Sequence, residues 1–234
     1  MKILLSFAHP DDETFTLAGS IIKWVKSGAK VSLITATYGQ MGLSADIAVE
    51  SPTHLGQIRK GEMEGAAKIT GISKIHYFGL MDGELKNESD DELTDKILSI
   101  MKDEQPDVVI TFEKNGGSNH PDHIKMSAVT TQAFSQYLSD SKKHVRLYHT
   151  VIPQSYFAEF AKAGVANSGF GEPKGVPDEH ITTILDVTDV FDLKMKAIEC
   201  HKTQWKDVER YKSRMHQVDL KKEFLQLIAE NAVI

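Results

Sequence analysis

The sequence predicts an α/β fold: a Rossmann-like three-layer sandwich around a mainly parallel sheet. Two observations carry this. Short apolar runs alternate with segments of helical spacing through the first half of the chain, and the runs are apolar on both faces. Strands alternating with helices imply right-handed crossovers and parallel neighbours. Runs without a polar face imply strands covered on both sides.

The elements follow in order. Residues 2–8, KILLSFA, read as a buried strand, and 13–28, ETFTLAGSIIKWVKSG, as a helix closed by Gly28. KVSLITAT at 30–37 is a second strand. Residues 53–70 carry helical spacing and are followed by Gly71, and KIHYFG at 74–79 is a third strand. The stretch 90–104 places Ile97, Leu98 and Met101 on one helical face. DVVITF at 107–112 is a fourth strand, and a helix runs over 121–138. Farther on, 144–153 and 180–187 read as strands, with a Gly- and Pro-rich surface loop at 167–179 between them. Residues 189–204 read as one helix, and the charged tail 205–234 as helical. No repeat, low-complexity tract or linker interrupts the pattern, so a single domain over 1–234 is expected.

Composition narrows the function. With 41% hydrophobic and 26% charged residues, the chain is ordinary for a globular protein. A formal net charge of -6 lacks the basic footprint of a nucleic-acid partner. Cys200 is the single cysteine, which excludes an internal disulfide and a cysteine-built zinc site and suits a reducing cytoplasm. The N-terminal apolar stretch is short and no small-residue cleavage site follows it. No run approaches the roughly 18 apolar residues of a membrane helix. A cytoplasmic protein with no membrane partner is the expectation.

Charge then appears where a core strand ends. The first strand breaks into His9-Pro10-Asp11-Asp12, and the fourth is followed by Asn119-His120-Pro121-Asp122-His123. In an open α/β sheet both turns lie at the carboxyl edge, where ligands bind. Each proline biases the histidine before it toward extended backbone and suits the first turn of the helix after it. Residues three apart on a helical turn are neighbours, so His9 with Asp12, and His120 with His123, can each converge. Imidazole and carboxylate are the ligand types of a catalytic zinc site, which takes three protein ligands and keeps one position open. Spare groups can serve as general base, oxyanion donor or ligand orienter. An isolated Asp here would be an N-cap and a lone HPDH an exposed first turn. The two motifs together, both after buried strands, favour a metal site. Chemistry alone does not choose roles among His120, His123, Asp11 and Asp12.

With AHPDDE at 8–13 and HPDH at 120–123, the chain resembles the PIG-L/LmbE family of zinc-dependent N-deacetylases, which act on N-acetylglucosamine-type sugars. The resemblance runs from about Lys2 to Gln204 and is strong at the motifs. It implies an LmbE-like fold, one Zn2+ per chain held by His9, Asp12 and His123, Asp11 as general base, His120 as oxyanion donor, and Asp122 as an orienter behind them. Iron or cobalt suits the same ligands. Weaker similarities are TYGQMG at 37–42, with Gln40 where the family has Glu, RKGEMEGAAKITG at 59–71, YFGLMDGEL at 77–85, and His201-Lys202-Thr203-Gln204. By resemblance Arg59 and Asp82 contact sugar hydroxyls. The plain alternatives are an Arg59 pair with Glu62 or Glu64 on a solvated face, a turn at Asp82-Gly83, and a cationic His201 at a helix end.

The expected reaction is metal-assisted amide hydrolysis of a small amino-sugar substrate, and the family allows a homo-oligomer. A mononuclear or dinuclear hydrolase of another amide or a phosphoester is the alternative. A nucleotide-binding module is disfavoured, because carboxylates stand in the first turn and GFG at 169–171 does not complete the fingerprint. A metal-bound protein without activity is disfavoured because every catalytic position is filled. Selectivity is expected from 40–56 and 154–179, which read as irregular loops.

Overall fold

The structure, a computed structural model, describes residues 1–43, 45–162 and 174–231. The elements are β1 (Lys2–Phe7), α1 (Asp12–Lys26), β2 (Lys30–Thr37), α2 (Pro52–Thr70), β3 (Lys74–Leu80), α3 (Asp90–Glu104) and β4 (Val108–Phe112). There follow α4 (Pro121–Asp140), β5 (Arg146–Thr150), α5 (Gln154–Lys162), β6 (Thr183–Asp186), α6 (Phe191–Ile198), α7 (Trp205–Ser213) and β7 (Lys222–Glu230). The strands form one sheet in the order β3-β2-β1-β4-β5-β7-β6. The run from β3 to β5 is parallel throughout.

Each strand of this parallel run except the edge strand β3 is buried almost end to end or at alternate positions, as a sheet covered on both faces requires. Helices α1, α2 and α6 pack together, and α3 packs with α4. Leu4, Leu5, Phe7, Leu33 and Ile110 lie in the core between the layers. Local signals set the helix ends. Ser51 accepts the His54 N–H ahead of Pro52 at the start of α2, and Gly71 closes that helix in the left-handed region. Ser89 caps α3 in the same way. The crossovers diverge at β1, with β2 on one side and β4 on the other, so the carboxyl ends of β1 and β4 flank the switch point.

The expectations for the second half need correction. Residues 189–204 are not one helix: α6 stops at Ile198, and a 3-10 turn at Lys202–Gln204 precedes α7. Residues 154–162 are helical rather than irregular. The tail is not helical throughout, because β7 inserts between β5 and β6, antiparallel to both. The reason is backbone pairing: without β7 the outer edge of β5 and both sides of the four-residue β6 would leave donors and acceptors unmatched. The buried acidic residue of β7 is accommodated, since Glu223 lies against Lys194 at 2.9 Å. The GFG stretch and residues 167–173 of the Gly- and Pro-rich segment lie outside the described residues. Among the described residues no helix is long and apolar enough to cross a membrane.

Candidate active site

The chain leaves β1 through a turn held by its own acids. Asp12 Oδ2 accepts the N–H of His9 at 2.7 Å and of Ala8 at 3.2 Å. Asp11, between them and α1, has φ 116 and ψ -25, a conformation that side chains other than glycine rarely take. Across the switch point His120 caps α4, its Nδ1 accepting the Asp122 N–H at 3.2 Å. That leaves the proton of a neutral ring on Nε2. His123 is one turn on. Its Nδ1 lies 2.9 Å from Gly116 O and donates there, which frees the Nε2 lone pair. Gly116 makes this possible: its φ is +69, and a Cβ there would sit 2.6 Å from His123 Cβ. The His123 ring stacks on Phe112 at a centroid distance of 4.1 Å.

His9 is fixed by carboxylates on its far side. Its Nε2 is 3.0 Å from Asp82 Oδ1 and 3.2 Å from Asp122 Oδ2, so that nitrogen carries the proton and Nδ1 carries a lone pair. Nδ1 then faces His123 Nε2 at 3.0 Å and Asp12 Oδ2 at 3.5 Å, while Asp12 Oδ1 is 3.3 Å from His123 Nε2. Ligand atoms about 2.0–2.1 Å from a tetrahedral ion are separated by about 3.3 Å. The His9–His123 separation and the donor types therefore suit a metal ion, with Asp12 reaching each imidazole through a different carboxylate oxygen. Two other groupings have ligand atoms within 4.8 Å: His9, His120 and His123, and His9, Asp82 and Asp122. Backbone engages members of both, as it engages Asp12 Oδ2. His120 Nδ1 serves its helix, Asp82 accepts from Met41 N at 3.1 Å, and Asp122 accepts from Gly83 N at 2.7 Å and Leu85 N at 3.2 Å.

Electrostatics separates the acids. Burial opposes charge on His9, but Asp12, Asp122 and Asp82 outweigh it and raise its pKa well above the usual value. The same pull favours any cation at this locus. Burial would raise Asp12 too, yet His123 and His9 hold it well below the carboxylate range. Asp82 is likewise lowered, to about 2, because His9 offsets its burial. Asp11 goes the other way: burial raises it well above the usual value, the Arg59 charge pulls against that, and the Asp12 charge adds to it. Burial, with the charges of His9 and His123, lowers His120 to about 4, so its ring is neutral near pH 7.

Arg59 and Asp82, expected by resemblance to contact sugar hydroxyls, are both buried. Arg59 is 4% exposed, and its terminal nitrogens donate to Gly39 O, Gly42 O, Pro10 O and Asp11 Oδ2. It makes no pair on a solvated face, because Glu62 instead accepts the N–H and hydroxyl of Thr203. Asp82 is turned inward to His9. Gln40 bridges Tyr38 N and Leu80 O, using both ends of its amide. His201 is fully buried with its pKa lowered to about 3 by burial, so it is no cationic helix cap; its Nε2 meets Thr14 Oγ1 at 3.2 Å.

A cleft of about 390 Å³ opens beside Asp11, Asp12 and His123. Its far wall is built by Tyr156, Arg210, Tyr211 and Phe224, from α5, α7 and β7. Sequence reasoning missed Arg210, Tyr211 and Phe224. The available signal was the apolar run FLQLIA at 224–229, too short for a helix and flanked by charge. Of the expected selectivity segments, 154–179 contributes Tyr156 to the wall.

The chain is 31% identical to a 1D-myo-inositol 2-acetamido-2-deoxy-alpha-D-glucopyranoside deacetylase of Rhodococcus jostii, over 87% of this chain and 81% of that protein. In fold it is similar to the N,N'-diacetylchitobiose deacetylase of Pyrococcus horikoshii, with TM-score 0.68 at 23% identity, covering 97% of this chain and 83% of that one. It is also similar to the 4-carboxy-2-hydroxymuconate hydratase GalB of Pseudomonas putida, with TM-score 0.71 at 17% identity, covering 99% and 97%. The fold is thus shared by hydrolases and a hydratase, and the chemistry has to be argued from the site. Residues 4–134 match the family described as PIG-L: GlcNAc-PI de-N-acetylase, and with the identity to the Rhodococcus protein this shows that the chain belongs to the PIG-L family.

Proposed function

We propose that the protein is a zinc-dependent hydrolase that removes the acetyl group from an N-acetylglucosamine-type sugar conjugate. The observation that carries this reading is the convergence of His9 Nδ1, His123 Nε2 and the Asp12 carboxylate, 3.0–3.5 Å apart, beside a second carboxylate, Asp11. The relatives' acetamido-sugar substrates support the substrate class.

His9, Asp12 and His123 would hold the metal. A divalent cation there supplies Lewis acidity and a water of lowered pKa. Asp11, whose pKa is raised, accepts the proton of the attacking water. His120 directs its Nε2–H to the acetyl oxygen as negative charge develops. The water oxygen joins the acetyl carbon, the C–N bond breaks, and the proton passes to the departing nitrogen. Acetate and a free amino sugar result. Asp122 and Asp82 keep the His9 proton on Nε2 throughout.

Acetate release from N-acetylglucosamine, its inositol glycoside and diacetylchitobiose, with and without chelator, tests the reading. Chelator-sensitive release restored by zinc is expected. A chain that binds one metal ion and releases acetate from none of them would overturn it.

A further inference from the structure

Arg59 sits on α2, yet its guanidinium lies under the turn that leaves β1. Nη2 donates to Pro10 O at 2.7 Å and Asp11 Oδ2 at 3.0 Å, holding the main chain and side chain of the same turn. Nη1 donates to Gly39 O and Gly42 O, both at 3.0 Å, on the loop that leaves β2. The loop is shaped around it: Gly39 has φ +66, and a Cβ there would lie 2.3 Å from Nη1. A third segment closes the arrangement, because Gln204 Nε2 also donates to Gly42 O, at 2.6 Å. Asp11 is held at φ 116 at the centre of this web.

We infer that Arg59 is a positioning residue, which keeps Asp11 in its left-handed conformation and aims its carboxylate into the cleft. Planarity is essential to that role. Two parallel pairs of N–H groups reach four acceptors on two loops, which the single nitrogen of a lysine does not match. With the guanidinium gone, the Asp11 backbone returns to a favoured region and the carboxylate swings away. The inference rests on Asp11 being the base of the proposed reaction, and it removes Arg59 from the groups that recognise sugar.

The test uses metal-loaded wild type, Arg59→Ala and Arg59→Lys, with kcat and KM on an N-acetylglucosaminyl substrate, metal content, and crystal structures of the variants. A displacement of the order of 1 Å costs about 100-fold. Expected for both variants is a kcat loss of about that size, KM within about threefold, an unchanged metal content and an Asp11 φ that leaves the left-handed region. Added guanidinium should recover part of the kcat of Arg59→Ala. A raised KM with kcat preserved would make Arg59 a substrate contact and overturn the inference, as would an Asp11 turn that stays in place. If Arg59→Ala does not fold, Arg59→Lys carries the same readings. If wild type itself releases no acetate, the deacetylase reading fails, and the turn geometry in the variant crystals alone decides the role of Arg59.

Discussion

Asp11 and Asp12 are adjacent in the chain and opposite in environment. Asp12 faces two imidazoles and stays ionised, whereas Asp11 faces the cleft and is pushed toward its neutral form. Two carboxylates whose surroundings drive their pKa values apart are suited to different tasks. Asp11→Asn should therefore keep its metal and lose turnover by about 10²–10⁴-fold, the usual worth of a general base. Elemental analysis beside kcat checks this, and a variant that loses its metal would make Asp11 a ligand. These side chains were legible in the sequence because two His-Pro-Asp turns are hard to explain as capping. The surroundings of Arg59 were not legible, since a sequence does not say whether an arginine on a helix points to solvent or under a neighbouring loop.

At the scale of elements, β7 is joined to α1 and α6 by one buried ion pair. Lys194 Nζ lies 2.9 Å from Glu223 Oε1, with side-chain exposures of 1% and 2%, and the carboxylate also accepts Gly19 N at 3.0 Å and Ser20 N at 2.8 Å. Removing one partner leaves an uncompensated buried charge, so Lys194→Met should destabilise by about 3–5 kcal/mol. Urea denaturation measures it, and a loss below about 1 kcal/mol would show that the pair is not what secures β7. A second contact joins α3 to the start of β2 and β3. Burial tends to raise the Glu104 pKa, but Ser32, His76 and Lys74 outweigh it and hold the carboxyl below its ordinary range. A depressed folded pKa gives stability that is complete above the unfolded value, about 4.3, and is lost as pH falls through the folded one. Glu104→Gln should be less stable than wild type at pH 7, with the gap closing below about pH 4. A gap independent of pH would contradict the pairing. The elements themselves were legible through α4 to within about two residues, because buried parallel strands read as uniform apolar runs. β7 was not, since it mixes Lys222, Glu223, Gln226 and Glu230 with its apolar residues.

For the whole molecule, the metal should act as a stabilising ligand. His9, Asp12 and His123 come from two strand-to-helix turns on separate crossovers, so an ion bound to all three ties β1 to α4. Ligand present at 100 times its Kd adds about 2.7 kcal/mol to folding. Chelation should lower Tm by several degrees, and zinc should restore it in scanning calorimetry. An unchanged Tm would mean that these groups hold no ion in the folded protein. The α/β class and its parallel half followed from periodicity. The mixed character of the sheet did not, because strand order depends on pairing between residues some 80 positions apart, such as Arg146 with Glu230.

The place of β7 also sets an order of events during synthesis. β6 pairs with β7 and with no other described strand, and β5 has an open edge until β7 arrives. Phe224, which faces the cleft, comes with it. At about 5–20 residues per second, the ribosome delivers both His-Pro-Asp turns several seconds before residues 222–230. During that interval the wall of the cleft is unfinished and an unpaired strand edge is exposed to other chains. Catalytic competence should therefore arrive late and abruptly, and the interval before it is when a holding chaperone would matter most.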